Sequence, residues 1–296
     1  MPRAALLSIH ARVAGTQPTT WEDPSLVQVW GPRYSTYVVA RQDVGLFTLG
    51  RLPDDPKGRR VAEEVAQQLH AVLGGRRMTD RDAAAPLGVN PNRFRYAAPT
   101  GTVLIRWEGA RAPVIWSVAA PAIDPAEASL ELARRYIHVF GPTTAESFAE
   151  WAGIATRQGL AVFDRLRPSL IPVTTPIGDA WALMSDEAPL RAAPGDPAPA
   201  RLLPSGDTYF LLQGVDRILL VPEADKRASL WTSRVWPGAV LLRGEIVGTW
   251  RRANADLKIE PWRPLSSGER EAVEAEAASL PLPGLRTTPR VRWAGG

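Results

Sequence analysis

The stretch VAEEVAQQLHAVLGG, residues 61–75, carries one apolar stripe at helical spacing. The stripe consists of Val61, Val65, Leu69 and Val72. Residues three and four apart share one face of an α-helix, and glycine commonly follows the last helical turn. The pattern therefore predicts an amphipathic helix that ends at Gly74 and turns its apolar face toward a core.

Two shorter helices are predicted directly after this one. Thr79 is followed three residues later by Asp82, which resembles a capping box at a helix start. Asn90 before Pro91 begins another short helix through NRFRYAAP, because proline is well tolerated at the first helical position. Three helices in succession are therefore expected before any strand.

The next residues have the alternation of a β-hairpin. TVLIRW (102–107) and PVIWSV (113–118) predict its two strands, and Trp107 is expected to pair with Trp116 across them. Three helices followed by a two-stranded wing is the order of a winged helix, a helix-turn-helix with a β-hairpin. Residues 53–120 are accordingly predicted to form one winged helix.

The same elements recur at residues 121–187. Thr143 with Glu146 is expected to cap the middle helix of the three, and LIPVTT with AWALMS predicts the hairpin. The first helix, ASLELARRYIHVF, has an apolar side of Leu130, Ala133, Ile137 and Phe140. The third, TRQGLAVFDRLRP, is expected to bury Leu160, Phe163 and Leu166. These residues are predicted to form a further winged helix.

The beginning of the chain reads as an incomplete version of this pattern. MPRAALLSIHARV predicts a helix whose apolar face has no partner upstream in the sequence; that face consists of Leu6, Ile9 and Val13. WEDPSLVQVW offers Asp23 as an N-cap and predicts a short helix to about Trp30. GPRYSTYVVA predicts a strand with Tyr34, Thr36 and Val38 on one face. Residues 1–52 are thus predicted to be a partial first winged helix.

The remainder of the chain is predicted to be mainly β-structure. Residues 188–200 are rich in proline and alanine and read as a linker. Within residues 201–296, strand-like runs are LLPSGDTYFLLQGVDRILLVP, PGAVLLRGEIVGTWRR and LKIEPW. A closing helix is expected at about 266–280. The predicted class is α+β, with tandem winged helices followed by a small, β-rich, barrel-like C-terminal domain.

Composition narrows the classes of function. The chain of 296 residues is 45% hydrophobic and 22% charged, which is typical of a globular protein, and it has no apolar run long enough to span a membrane. It contains no cysteine, which excludes disulfides, thiolate metal sites and cysteine nucleophiles. No signal peptide is recognisable, so a cytoplasmic protein is expected. The net charge of +4 permits nucleic acid as a partner.

Several stretches together resemble a known family, the winged-helix DNA glycosylases of the AlkZ/YcaQ type. The stretches are VWGPRYSTYVV, YAAPTGTVLIRWEG, ELARRYIHVFGPTTAESFAEWAGI, DRILLVP and GEIVGTWRR. The resemblance covers nearly the whole chain. It implies a monomeric protein that binds duplex DNA and removes alkylated or crosslinked bases in DNA repair, without a cofactor.

The catalytic motif of that family is missing from the chain. Members carry Gln-x-Gln or Gln-x-Asp just before the helix that MPRAALLSIHARV resembles, and neither motif occurs in the sequence. Either the chain starts late, at an internal methionine, which is the favoured interpretation, or it is a DNA-binding relative without glycosylase chemistry, such as a regulator or a lesion-binding factor. A relative that binds a protein partner is a third possibility. Asp23 could replace the glutamines, but its position favours an N-cap. No catalytic residue is predicted.

Five arginines are predicted to contact DNA. Arg33 corresponds, by the resemblance, to an arginine in the wing segment of the family. The others lie on the last helices of the two later modules, where winged helices meet DNA, and they are Arg93, Arg95, Arg157 and Arg165. The three histidines His10, His70 and His138 are dispersed and do not have metal-ligand spacing, so no metal is expected.

Overall fold

The computed structural model describes residues 2–109, 111–193, 195, 199–285 and 287–294. The chain is a mixed helix-and-strand protein that divides into two compact units. The larger unit contains Glu22–Arg191. The smaller unit combines Arg3–Trp21 with Ala192–Gly296.

Helices and strands alternate in short blocks along the chain. The α-helices are α1 (Pro2–His10), α2 (Val44–Thr48), α3 (Pro56–Leu73), α4 (Asp80–Ala84), α5 (Pro125–Phe140), α6 (Ala145–Ala152), α7 (Thr156–Leu166), α8 (Glu187–Arg191), α9 (Arg217–Leu220), α10 (Ala224–Leu230) and α11 (Ser267–Ser279). The strands are β1 (Leu26–Trp30), β2 (Thr36–Ala40), β3 (Met78–Thr79), β4 (Val103–Arg106), β5 (Val114–Ser117), β6 (Leu170–Thr175), β7 (Gly178–Leu183), β8 (Arg201–Leu203), β9 (Gly238–Leu242), β10 (Glu245–Ala253), β11 (Asp256–Pro261) and β12 (Arg290–Trp293). Short 3₁₀ helices include Pro32–Tyr34, Leu49–Arg51 and Pro91–Thr100.

A five-stranded sheet in the order β2-β1-β4-β5-β3 runs through the larger unit. The hairpin β1-β2 places Trp30 opposite Thr36, and β1 joins β4 where Gln28 faces Ile105. The predicted helix in WEDPSLVQVW is therefore wrong, because this segment alternates apolar residues and pairs with strands on both sides. Asp23 caps no helix; its carboxylate accepts hydrogen bonds from the backbone and hydroxyl of Ser25.

The long helix predicted at residues 61–75 is confirmed as α3. It begins after Asp55, whose side chain accepts from the N–H of Gly58, and it ends at Gly74 with φ of 52°. Its buried residues are Ala62, Val65, Ala66, Leu69 and Leu73, and the last four pack with Phe94 and Ile115. Val61 is largely exposed, so the buried face is rotated from the predicted stripe.

Three local predictions concern the residues around β3, β4 and β5; two are confirmed and one is wrong. Thr79 accepts a hydrogen bond from the N–H of Asp82, as expected of a cap. The short helix after Asn90 is present as the 3₁₀ helix Pro91–Thr100. The expected Trp107–Trp116 pair is wrong, because Trp116 lies opposite Leu104 and Trp107 follows the end of β4.

Three helices and a hairpin, α5 to β7, precede the short closing helix α8 of the larger unit. Tyr136, Phe148 and Trp151 pack with ring centroids 4.9 to 6.4 Å apart. The cap of α6 is Thr144 rather than Thr143, whose backbone instead pairs with Trp181 of β7. On α7, Phe163 and Leu166 are buried as predicted, but Leu160 is exposed.

The smaller unit contains a sheet in the order β12-β11-β10-β9-β8. Its core includes Leu7 of α1 together with Val240, Trp250 and Ala277. Leu6 is also buried, whereas Val13 is exposed. The apolar face of α1 thus finds its partner in the C-terminal part of the chain, a difference from its expected place in a first winged helix. Sequence reasoning missed this partner because it lies about two hundred residues away.

The strand turn before β10 and the closing helix are present as predicted, whereas the strands predicted within residues 202–222 are mostly absent from the described structure. Arg243 and Gly244 have φ of 51° and 84° in the turn between β9 and β10, and Ser266 with Glu269 forms a capping box on α11. In the stretch 202–222, only the first residues form a strand, and α9 replaces the predicted strand DRILLVP. Part of the expected 188–200 linker (194 and 196–198) lies outside the described residues.

Candidate nucleic-acid interface

The turn Gly31–Ser35, which joins β1 to β2, has an unusual backbone. Arg33 and Tyr34 have φ of 53° and 55°, the left-handed region that side chains other than glycine rarely adopt. The N–H of Gly31 bonds to the carbonyl of Ser35, and the N–H of Tyr34 bonds to the carbonyl of Gly31. Such a conformation persists only where surrounding contacts enforce it, and it is common at functional sites. Here it leaves the side chain of Arg33 exposed.

A buried arginine supports this turn from inside the larger unit. Arg51 is 2% exposed and donates to the carbonyls of Phe47, Ala152 and Trp30 at 3.0, 3.2 and 2.8 Å. Burial lowers the pKa of Arg51 to about 10, so the guanidinium stays charged at neutral pH. Its central carbon lies 5.4 Å from the ring centroid of Tyr34. The guanidinium of Arg51 thereby connects three chain segments at the base of the turn.

Two tyrosines and a second arginine lie beside Arg51. The rings of Tyr34 and Tyr96 meet edge to face with centroids 5.1 Å apart. The guanidinium of Arg95 lies 6.0 Å from the first ring centroid and 5.5 Å from the second. Burial raises the pKa of the nearby Tyr37 to about 12, so its hydroxyl stays protonated. This part of the larger unit is rich in positive charge and aromatic surface.

The predicted DNA-contacting arginines differ in their surroundings. Arg95 lies next to Tyr34, which adjoins Arg33 in the turn, so the structure brings these two predicted residues into one neighbourhood. Arg93 is exposed on the same 3₁₀ helix as Arg95. Arg157 and Arg165 are exposed near the two ends of α7, where they pair with Asp54 at 3.1 Å and Glu127 at 3.2 Å. They are eight residues apart, which is about 12 Å along a helix.

Sequence reasoning missed a second cationic group beside the β4–β5 hairpin. A cavity of about 250 Å³ is lined by Arg77, Arg106, Arg111, Glu108 and Trp116, among others. The guanidinium carbon of Arg77 lies 4.4 Å from the ring centroid of Trp116, and Arg106 pairs with Glu108 at 2.8 Å. The arginines and tryptophans that lie close together in the sequence around this hairpin could have indicated the group. Arg51 was missed because a short stretch between helices gives no sign of burial.

Within the described parts of the chain, no three histidine, aspartate or glutamate side chains are grouped to hold a metal ion. His138 contacts Asp186 at 3.0 Å in the larger unit, whereas His10 contacts Ser279 at 3.1 Å in the smaller one. The described helices include none that is both long and apolar enough to cross a membrane.

Fold and site together define a basic protein of mixed helices and strands that carries exposed arginines on its helices and turns. The chain belongs to the AlkZ-like family, whose model is described as "DNA glycosylase AlkZ-like" and matches residues 1–281. This confirms the resemblance inferred from the sequence. The family membership concerns nearly the whole chain.

A curated relative and a solved structure agree with the family assignment. The chain is similar to the "Interstrand DNA cross-link repair glycosylase" of Streptomyces sahachiroi, with 30% identity over 164 residues, 53% of this chain and 43% of the relative. The alignment thus spans less than half of the relative's length. The structure of the Streptomyces sahachiroi DNA glycosylase AlkZ has a TM-score of 0.75 and 18% identity, covering 98% of this chain and 90% of the other. The structural comparison shows that this chain and the Streptomyces sahachiroi protein share a fold.

Proposed function

We propose that the chain binds duplex DNA and acts in the repair of alkylated or crosslinked bases. The observation that carries this proposal is the family match across residues 1–281. The relative from Streptomyces sahachiroi, named for the repair of interstrand crosslinks, supports the same class of substrate. We also propose that the protein acts as a monomer in the cytoplasm, without a metal or cofactor.

The DNA would lie across tandem winged helices at residues 53–120 and 121–187, preceded by the hairpin β1-β2 as the part of a first one that lies in the larger unit. The element order supports this arrangement, because α5, α6 and α7 are followed directly by the hairpin β6-β7. The predicted contact residues are Arg33, Arg93, Arg95, Arg157 and Arg165. The ion pairs of Arg157 and Arg165 are exposed and therefore weak, so phosphates can replace their carboxylates.

DNA binding is tested by fluorescence anisotropy of a labelled duplex at several salt concentrations. We expect the affinity to fall steeply as salt rises, because arginine contacts release counterions from the phosphates. The triple variant Arg93→Ala, Arg157→Ala, Arg165→Ala should bind more weakly and reduce the slope of log affinity against log salt by about 2 to 3. Arg95 stays intact because it is only half exposed.

A matched control removes exposed arginines from the smaller unit. Arg290 and Arg292 lie on β12 and pair with Asp256 at 3.3 and 3.0 Å, like the ion-paired arginines of α7. The double variant Arg290→Ala, Arg292→Ala should bind duplex as the unmodified chain does. An unchanged slope in the triple variant would contradict the proposed interface. Salt-insensitive or absent binding to duplex DNA would favour a protein partner.

No residue of the chain is proposed as catalytic, since neither Gln-x-Gln nor Gln-x-Asp occurs in it. The alternative function is therefore non-enzymatic DNA binding, as a transcriptional regulator or a lesion-binding factor. Base release from a duplex that contains N7-alkylguanine separates the two functions. Release above the uncatalysed rate supports a glycosylase, whereas tight binding without release supports the alternative.

A further inference from the structure

The sheet of the smaller unit ends at strand β12, which pairs only with β11 in the described part of the chain. The N–H groups of Arg290 and Ala294 each donate, at 2.8 Å, to a carbonyl of the segment that contains β11. Because successive peptide groups of a strand point to opposite sides, the N–H groups of Val291 and Trp293 point away from β11. We call this outward side of Arg290–Trp293 the β12 edge.

One face of the sheet beside this edge carries a row of positive charges. Arg251 of β10 lies opposite Lys258 of β11, which in turn lies opposite Arg292 of β12. All three side chains are exposed. Like charges that lie directly opposite each other in a sheet are destabilising, so an anion beside this row would stabilise it.

The carboxylates on this face neutralise the charge only in part. Arg290 and Arg292 share one partner, Asp256, whose two oxygens lie 3.3 and 3.0 Å from their Nε atoms. Glu260 pairs with Lys258. The two arginine side chains remain 73% and 62% exposed, so their other N–H groups can bind a further carboxylate at the edge.

The opposite face of β12 is apolar. Val291 and Trp293 are partly buried and pack against the core of the smaller unit. The guanidinium carbon of Arg270 lies 4.9 Å from the ring centroid of Trp293, whose Nε1 donates to Glu274 at 2.9 Å. A strand added beside β12 would therefore have basic neighbours on one face and apolar neighbours on the other.

We propose that the β12 edge binds an extended segment of a protein partner in which acidic and apolar residues alternate. The backbone of such a segment pairs with the outward N–H and C=O groups, and its carboxylates contact Arg290 and Arg292. Its apolar residues extend the packed face beside Trp293. A second copy of β12 is disfavoured because it carries the same two arginines. Asp256 and Glu260 disfavour a continuous row of phosphates on this face.

The first test uses a labelled peptide, Gly-Asp-Val-Glu-Val-Asp-Gly, and a control of the same composition without alternation, Gly-Asp-Asp-Glu-Val-Val-Gly. In fluorescence anisotropy, the alternating peptide should bind at least about fivefold more tightly, the effect of correctly placed cross-strand pairs. Hydrogen exchange followed by NMR should slow at the amides of Val291 and Trp293 when it binds. Absence of binding, equal affinity for both peptides, or unchanged exchange at these amides would overturn the proposal.

The second test separates charge from backbone pairing. Arg290→Ala, Arg292→Ala should weaken binding of the alternating peptide about fivefold, because each exposed ion pair contributes little. Val291→Pro removes an outward N–H and none that bonds to β11, and it should weaken binding at least about tenfold. Arg234→Ala, Arg243→Ala, which removes two exposed arginines of the same unit, should leave binding unchanged.

Thermal unfolding checks that each variant is folded, and if Val291→Pro is not, the arginine variant and the exchange experiment still decide. Weaker duplex binding by the arginine variant would assign this face to nucleic acid and overturn the proposal. A dimer that Val291→Pro dissociates would assign the edge to a second copy, with the same result. The β12 edge lies in the smaller unit and the arginines proposed to contact DNA lie in the larger one, so loss of peptide binding leaves the proposed function standing.

Discussion

Buried charged side chains are satisfied by different kinds of partner in the two units. Asp207 is 1% exposed and accepts hydrogen bonds from Ser8, from two nitrogens of Arg12 and from the N–H of Tyr209. Arg51 of the larger unit is 2% exposed and donates instead to three backbone carbonyls. The smaller unit therefore closes through a buried ion pair between segments far apart in the chain, whereas the larger unit closes through a cation that main-chain oxygens satisfy.

Glu276 extends the same comparison. This buried carboxylate accepts from the N–H of Leu202 at 3.2 Å and lies 3.6 Å from Arg201 and 3.9 Å from His10. With Asp207 it ties α1 to the C-terminal strands, which explains why the first helix packs there. Arg51 is the counterpart in the larger unit, except that carbonyl oxygens rather than a carboxylate satisfy it.

The largest effect is expected from removing Arg51. Arg51→Met keeps the length of the side chain but leaves three carbonyls without their charged donor. Because a hydrogen bond to a charged group contributes about 1.5–3 kcal/mol, we expect a loss of about 3–5 kcal/mol in the free energy of unfolding. Urea denaturation measures it, and hydrogen exchange of peptides from Glu22–Arg191 locates it.

Arg41→Met is the matched control, because Arg41 is exposed and donates to only one carbonyl, that of Pro24. Its effect should stay within about 0.5 kcal/mol. A similar small loss for Arg51→Met would mean that the buried cation does not organise the turn, and the comparison between the two units would fail at this point.

Asp207→Ala should have the next largest effect. The change leaves the hydroxyl of Ser8 and the N–H of Tyr209 without their acceptor. Arg12 is half exposed, so its guanidinium can form hydrogen bonds with water instead. We expect a loss of about 2–4 kcal/mol in the free energy of unfolding. Glu271→Ala, an exposed site on α11, should change it by no more than about 0.5 kcal/mol.

Local sequence signals predicted much of the fold, while long-range pairing decided the rest. The helix α3, the β10 hairpin and the closing helix α11 depend on neighbouring residues, and each was predicted. Strand β1 was predicted as a helix because Asp23 and Pro24 are typical of a helix start. Only its pairing with β2 and β4 makes the strand stable.

The sequence predicted candidate site residues mainly where their side chains are exposed. Exposed arginines such as Arg93 and Arg157 follow from helix periodicity and net charge. Arg51 gave no such signal, because its role depends on burial by a segment remote in the chain: its guanidinium donates to the carbonyl of Ala152. Burial of a charge is a tertiary property that residue type and spacing do not encode.

The smallest effect, and the one of opposite sign, is expected at Asp80. Its pKa is raised in the folded state, so the unfolded state releases the proton more readily. The stabilisation that the protonated form provides is complete below the unfolded pKa of about 3.9 and is lost as the pH rises through the folded pKa. At neutral pH, Asp80→Asn should therefore leave the free energy of unfolding unchanged or raise it, by no more than about 0.5 kcal/mol. The variant should also flatten the fall in stability that occurs as the pH rises through the folded pKa of Asp80. Thermal unfolding across that range measures both, with Glu64→Gln, an exposed charge change on α3, as the control. A clear destabilisation at neutral pH would show that the charged carboxylate stabilises the start of α4 more than its burial costs.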